Sequence, residues 1–299
     1  MKKLLFIMNP FSGQKRASKY LTEVLQMFNQ AGYQVMVHIT SGRGDATLAV
    51  ERQGHGVDLI VCCGGDGTMN ETVTGLLNLG EDIPLGYIPA GTTNDFASSL
   101  KLSGNILQAT QDILLGEPVA YDIGKFGERY FSYVASFGAF TKSSYIVPQN
   151  IKNALGHAAY VLGGISELSQ IHNEHLRLDV DGEIVEDDFI FGAICNSTSI
   201  GGVLTLDPKR VDMGDGMFEI LLVRAPRNLT ELAECIQALQ NQSFNCAMIT
   251  FRSARSVKVF ADPGMNWSLD GEKEDGHREV TVENIHHAIR LVKRVEAHV

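Results

Sequence analysis

The chain has 299 residues, 44% of them hydrophobic and 20% charged, with a formal charge of -10; this describes a soluble globular protein long enough for two domains, and the acidic balance argues against a nucleic-acid binder, which needs a basic surface to neutralise phosphates. Its five cysteines, two of them adjacent at Cys62 and Cys63, make neither a disulfide framework nor a zinc-ligand spacing, so a reducing cytoplasm is expected. Met1-Lys2-Lys3 is followed by only five apolar residues before Asn9-Pro10, too short a run for a signal sequence or a membrane span.

In chain order, Leu4 to Met8 reads as a first buried strand, ended by the turn Asn9-Pro10-Phe11-Ser12-Gly13. Ala17 to Gln30 carries apolar residues at helical spacing and closes at Ala31-Gly32, after which Tyr33 to Ile39 alternates into a second strand. Thr40 stands at that strand's carboxyl end, the ligand side of an open α/β sheet, and a helix is expected from Ala46 to about Gly54. Leu59 to Cys63 has the continuity of a buried parallel strand and stops in Gly64-Gly65-Asp66-Gly67-Thr68. Glycines permit positive φ and let backbone amides approach a polyphosphate, while the helix start that follows adds a favourable partial charge. A tight turn alone would explain one glycine; three around one aspartate favour a phosphate or metal role.

The helix continues over Glu71 to Leu79, and Pro84 to Ile88 makes a fourth strand leading into Gly91-Thr92-Thr93-Asn94-Asp95-Phe96-Ala97. Asn94-Asp95 could be only a helix cap. Two aspartates, Asp66 and Asp95, on adjacent ligand-side turns suggest a shared cation, because Mg²⁺ in phosphoryl-transfer sites is held by one or two carboxylates plus substrate phosphates. From about Tyr121 to Gly124 the rhythm changes to strand-like pieces: Arg129 to Phe137, His175 to Val180, Glu183 to Ala193, Met217 to Val223 and Ser256 to Phe260, with turns at Asp181-Gly182 and Asp215-Gly216. Helices are expected from Asn150 to Ile171 and from Leu229 to Leu239, and Ala288 to Val295 is a strand candidate. The expected fold class is α/β in two domains: an α/β domain with a parallel sheet over 1-123, to which a tail from about 288 returns, and a mainly antiparallel β domain over 124-287.

Asn9 to Gly13, Gly64 to Glu71, Gly91 to Ala97 and Asp270-Gly271-Glu272 together stand in the order and spacing of the soluble bacterial diacylglycerol kinase family. The sequence resembles that family over nearly its whole length. The family is related to sphingosine kinases and eukaryotic diacylglycerol kinase catalytic domains, and more distantly to NAD kinases and phosphofructokinases. The glycine block alone is shared with NAD kinases; Met69-Asn70-Glu71 and the Thr92, Asn94 to Ala97 block narrow the resemblance to lipid kinases. It implies a nucleotide-binding domain followed by a β-sandwich lipid-substrate domain, with ATP in the cleft between them. By the same resemblance Asn9, Pro10, Phe11, Ser12, Gly13, Thr40, Gly64, Gly65, Asp66, Gly67, Thr68, Met69, Asn70 and Thr92 contact ATP, and Asp66 and Asp95 organise the catalytic Mg²⁺. Glu272 falls on the proposed general base, although the sphingosine kinase branch favours the aspartate of the glycine block, here Asp66. A structural Mg²⁺ maps to Asp215 with the main-chain carbonyls of Asp212 and Met217. Every catalytic carboxylate of these motifs is in place.

The chemistry has its own logic. There is no Gly-x-x-x-x-Gly-Lys-Ser/Thr loop, no protein-kinase signature set, and no Gly-x-Gly-x-x-Gly at the central turn that a dehydrogenase would need. Phosphoryl transfer demands positioning and charge neutralisation more than covalent work. A carboxylate of pKa about 4.3 cannot deprotonate a free alcohol beforehand, but it can accept the proton as the bond to phosphorus forms. The expectation is therefore an ATP-dependent kinase that phosphorylates diacylglycerol or a related lipid alcohol, giving phosphatidic acid, with Mg²⁺ as cofactor. An NAD kinase-like enzyme and a nucleotide-binding regulatory module without turnover are the alternatives. A lipid substrate without a membrane span implies a cytoplasmic protein that associates reversibly with membrane surfaces, and a homodimer is compatible with the sequence.

Overall fold

In the computed structural model the apolar runs of the first third of the chain lie side by side as a parallel sheet, and the later runs form an antiparallel one. The structure describes residues 1-138, 173-200, 204-207, 209-241, 244 and 246-294; the helix expected from Asn150 to Ile171 lies outside them. The chain divides into two units, Met1–Ile123 with Ile285–Val299, and Gly124–Asn284.

The elements run β1 (Lys2–Met8), a 3-10 turn (Ser12–Lys15), α1 (Arg16–Lys19), α2 (Leu21–Gln30), β2 (Tyr33–Ile39), α3 (Asp45–Gln53), β3 (Leu59–Gly64), α4 (Asp66–Leu79), β4 (Leu85–Pro89), α5 (Asp95–Ser99), α6 (Ile106–Leu115) and β5 (Glu117–Phe126). They continue with β6 (Arg129–Phe131), β7 (Val134–Gly138), β8 (Glu174–Val180), β9 (Glu183–Cys195), β10 (Ser199–Ile200), β11 (Leu204–Thr205), β12 (Phe218–Arg224), α7 (Leu229–Gln240), β13 (Ile249–Ala254), β14 (Ser256–Phe260), β15 (Trp267–Leu269), β16 (Glu272–Glu274) and β17 (Glu279–Lys293).

In the first unit the parallel order is β2-β1-β3-β4. Its central strand β3 is buried along its whole length, which is why its sequence is an unbroken apolar run, whereas the edge strand β2 alternates. Helix α4 buries Met69, Val73 and Leu76, a helical spacing. Leu291 of β17 stands opposite Leu85 of β4 as a further parallel pair, and Arg290 Nε donates to Asp82 Oδ1 at 2.5 Å beside it. The helix expected from Ala17 to Gln30 is two pieces, because the backbone at Tyr20 (φ -109°, ψ 6°) leaves the helical region; with no glycine or proline nearby, nothing in the local sequence announces the break. Cys62 and Cys63 sit inside β3, where burial pushes both thiols up, Cys63 to about 12, so they are core residues and not nucleophiles.

The second unit is an antiparallel β-sandwich. Its long strand β9 pairs with β7 and β8 in succession along one edge and with β12 along the other, and β14 lies between β8 and the start of β17. Aromatic residues fill it. Trp267 lies edge-to-face with Phe137 at 5.0 Å and tilted against Phe126 at 4.9 Å between ring centroids, and Phe131 stacks on Phe218 at 5.7 Å.

Candidate active site

Three loops leave the carboxyl ends of β1, β3 and β4 and pack against one another. Asn9 Nδ2 donates to Thr68 Oγ1 at 3.0 Å, Gly65 N to Ser12 Oγ at 3.2 Å, and Phe11 N to Asn9 Oδ1 at 3.0 Å. Asn94 closes the third loop on itself, accepting from Gly91 N at 2.9 Å and donating to Gly91 O at 3.0 Å. The glycines are needed for the closeness of this packing. At Gly13, with φ at +49°, a Cβ would lie 2.0 Å from the carbonyl oxygen of Ala90, and at Gly91 it would lie 2.6 Å from Gly65 Cα. The sequence-predicted residues Asn9 to Gly13, Gly64 to Thr68 and Thr92 are thus assembled on one edge of the sheet. Phe11, Gly67 and Thr92 are exposed there, whereas the Met69 side chain is fully buried in the core beneath, so any ligand contact from Met69 is through its backbone. Thr40 is buried at the end of β2, its N–H donating to Met8 O at 2.9 Å, and Asn70 is half-buried one turn into α4.

Asp66 is the first residue of α4, and its carboxylate reaches across to the next loop. Oδ2 accepts from Asp95 N at 3.2 Å and Oδ1 from Phe96 N at 3.3 Å, the first amides of α5. Asn94 occupies the N-cap position of α5 in the left-handed region, but its side chain is spent on Gly91, so Asp66 satisfies those amides from outside the helix. The two aspartates singled out in the sequence are brought together by this bond. Glu71, given no role of its own from the sequence, accepts from Gly44 N at 2.7 Å and Ala46 N at 3.2 Å and so fixes the start of α3.

In the second unit Asp270 (φ +50°) and Gly271 (φ +82°) form the tight turn from β15 to β16. The Asp270 carboxylate is buried and accepts from Ser132 N at 2.5 Å and from Tyr133 N and Val134 N at 3.0 Å each. That carboxylate is structural. Glu272 follows on β16 with its side chain 42% exposed, paired with Arg129 Nη2 at 3.3 Å, and Arg129 also pairs with Glu274. Arg129 lies far away in sequence, and nothing in its neighbourhood marks it as Glu272's partner.

The loop before β12 gathers oxygen. Asp212 Oδ1 accepts from Gly214 N at 3.0 Å, Asp215 Oδ1 from Met217 N at 2.9 Å, and Met217 O from Asn284 Nδ2 at 3.0 Å. Glu219, missed in the sequence, is the revealing residue: it is 2% exposed and its Oε2 is buried without a hydrogen-bond partner. Burial, reinforced by the charges of Asp215 and Asp212, pushes its carboxyl up to about 8. An orphaned buried carboxyl oxygen under the charge of two further carboxylates is the oxygen chemistry that a hard divalent cation takes.

Residues 3-126 match the family model of the diacylglycerol kinase catalytic domain, and residues 135-293 match that of the YegS C-terminal NAD kinase beta sandwich-like domain. The chain is 35% identical over 274 residues to a diacylglycerol kinase of Bacillus subtilis (strain 168), covering 91% of this chain and 90% of that protein. It is 32% identical over 274 residues to a diacylglycerol kinase of Staphylococcus carnosus (strain TM300), covering 91% and 89%. A crystal structure of a diacylglycerol kinase from Bacillus anthracis str. Sterne superposes with a TM-score of 0.75 over 98% of this chain and 97% of that one, and at 22% identity it speaks for the fold. With both of its units matched in order and relatives aligned along almost their full length, this chain belongs to the diacylglycerol kinase catalytic domain family and is a kinase.

Proposed function

We propose that the protein transfers the γ-phosphoryl group of ATP to the hydroxyl of diacylglycerol or a related lipid alcohol, giving the lipid phosphate (phosphatidic acid from diacylglycerol) and ADP. The observation that carries this reading is the locking of three glycine turns, backbone against backbone, around Asp66 and Asp95. Asn9 to Gly13, Thr40, Gly64 to Asn70 and Thr92 hold the nucleotide, the start of α4 presenting its partial positive charge to the phosphates. Asp66 and Asp95 would hold Mg²⁺, which when bound neutralises phosphate charge. Glu272 accepts the hydroxyl proton as the alcohol oxygen bonds to the γ-phosphorus and the bond to the leaving oxygen of ADP breaks. Arg129 keeps that carboxylate pointed.

The substrate lies in a bilayer, and among the described residues no helix is long and apolar enough to cross one, so access is by reversible association with the membrane surface. The test is labelled ATP with Mg²⁺ and vesicles containing diacylglycerol. Labelled phosphatidic acid is expected; failure on every lipid alcohol alongside conversion of NAD to NADP would replace this reading by that of a small-molecule kinase.

The oxygen-rich loop is proposed as a structural Mg²⁺ site of Asp215 with the carbonyls of Asp212 and Met217, Glu219 lying beside it. Asp215→Ala is expected to lower both bound Mg²⁺ and turnover, the latter by about 10- to 100-fold, the usual scale for losing a metal-site residue. Unchanged metal content and turnover would make the loop a plain turn.

A further inference from the structure

We propose that Asp122, His286 and His287 form a binding site for a borderline transition-metal ion of the Zn²⁺ class. Asp122 is near the end of the segment of β5 that belongs to the first unit, and His286 and His287 are the second and third residues of β17 after the chain returns to it. The Asp122 carboxylate is fully buried, and its Oδ1 lies 3.0 Å from His286 Nδ1 and accepts from His287 N at 2.7 Å.

In a regular strand, successive side chains point to opposite faces, so neighbouring histidines should not meet. Here they do. His287 takes a left-handed backbone with φ at +52°, uncommon for a residue with a side chain, and the two imidazoles stack with centroids 3.6 Å apart at 27°. Backbone strain is thereby spent on bringing two nitrogen donors beside a buried carboxylate. One donor atom from each of the three residues lies within 4.8 Å of the others. An ion with bonds of about 2.0-2.2 Å spans donors about 3-4 Å apart, so small rotations of the two exposed imidazoles close the set.

The chemistry of the donors selects the ion. Two imidazoles with one carboxylate suit Zn²⁺, and also Ni²⁺ or Cu²⁺, whereas Mg²⁺ and Ca²⁺ take oxygen ligands. The site is therefore separate in kind from the oxygen-rich loop before β12. With half of the His286 side chain exposed, the ion reaches the site from solvent and water completes its coordination. Because β5 carries the chain out of the first unit and β17 carries it back, a bound ion cross-links the exit and return strands within that unit and stabilises it by mass action.

The experiment is calorimetric titration of the full chain with Zn²⁺ in excess Mg²⁺, with imidazole NMR signals assigned through the variants His286→Ala and His287→Asn. The second variant removes an imidazole while keeping a residue that tolerates the left-handed backbone. One saturable equivalent of Zn²⁺ is expected, shifting the signals of both histidines. Each variant should bind at least about 100-fold more weakly with its circular dichroism spectrum unchanged; a lower metal-free melting temperature of His286→Ala reports only the bond lost from buried Asp122. No saturable binding, or equal binding by wild type and both folded variants, would overturn the proposal.

Discussion

Glu272→Gln is expected to lower turnover by about 10²- to 10⁴-fold, the scale of general-base loss, while leaving nucleotide affinity nearly unchanged. A group that accepts a proton only as the new bond forms acts on the transition state and not on the bound ground state. Glutamine is isosteric and keeps a carbonyl oxygen for Arg129, so the variant removes basicity without removing shape. Asp66→Asn is the contrasting measurement. Asp66 accepts from two amides at the start of α5, and an amide side chain turns an NH₂ group toward one of them. That variant should weaken Mg²⁺-dependent ATP binding together with turnover. If Asp66→Asn abolishes turnover with Mg²⁺-ATP binding intact while Glu272→Gln stays active, the roles are reversed and Asp66 is the base.

Gly13→Ala is expected to cost about 2-5 kcal/mol of stability and to abolish nucleotide binding. Two penalties combine at this position: a left-handed backbone carrying a Cβ, about 1-2 kcal/mol, and overpacking against a carbonyl oxygen that cannot yield, about 1-3 kcal/mol. The second arises because the added carbon would lie 2.0 Å from Ala90 O. Gly32→Ala is the internal control, since Gly32 has φ at +87° with nothing near the added Cβ; it should show the backbone penalty alone and bind nucleotide normally. Urea unfolding and nucleotide titration of both variants check this. Equal stability losses would mean that the loop after β1 yields and that the tight packing of the turns is not what shapes the site.

The first unit was legible because burial on both faces of a parallel sheet writes itself as unbroken apolar runs, as in Leu59 to Cys63, and because turns rich in glycine mark the strand ends. Antiparallel strands read less well. The first half of β17 alternates Glu279, Thr281 and Glu283 with buried Val280 and Val282, a short pattern inside a polar stretch, and only the apolar second half was expected. Helix α6 is not among the expected elements, although Ile106, Ala109 and Ile113 are buried at helical spacing and Asn105 caps it through Gln108 N at 3.1 Å. In the site, loop composition was legible and the partners were not. The bonds from Asp66 to α5, from Asp270 to residues 132-134 and from Arg129 to Glu272 join segments far apart in the chain, and no local pattern encodes them. Asn94 shows the limit most clearly: its position is that of a helix cap, yet its side chain closes the preceding loop and another residue satisfies the helix.

The pairing of Leu291 with Leu85 joins residues separated by roughly two hundred positions. The edge of β4 at Leu85 therefore stays open during synthesis until residue 291 has been made. At about 5-20 residues per second the delay is on the order of 10-40 s, long against most folding steps. Over that interval the nascent protein carries an unpaired edge at Leu85, the first residue of a strand that is buried throughout in the finished molecule. Such edges recruit other chains. Yield of native protein should accordingly depend on ribosome-associated chaperones and fall when expression is fast, and a chain cut at residue 123 should aggregate, since it leaves that edge open for good.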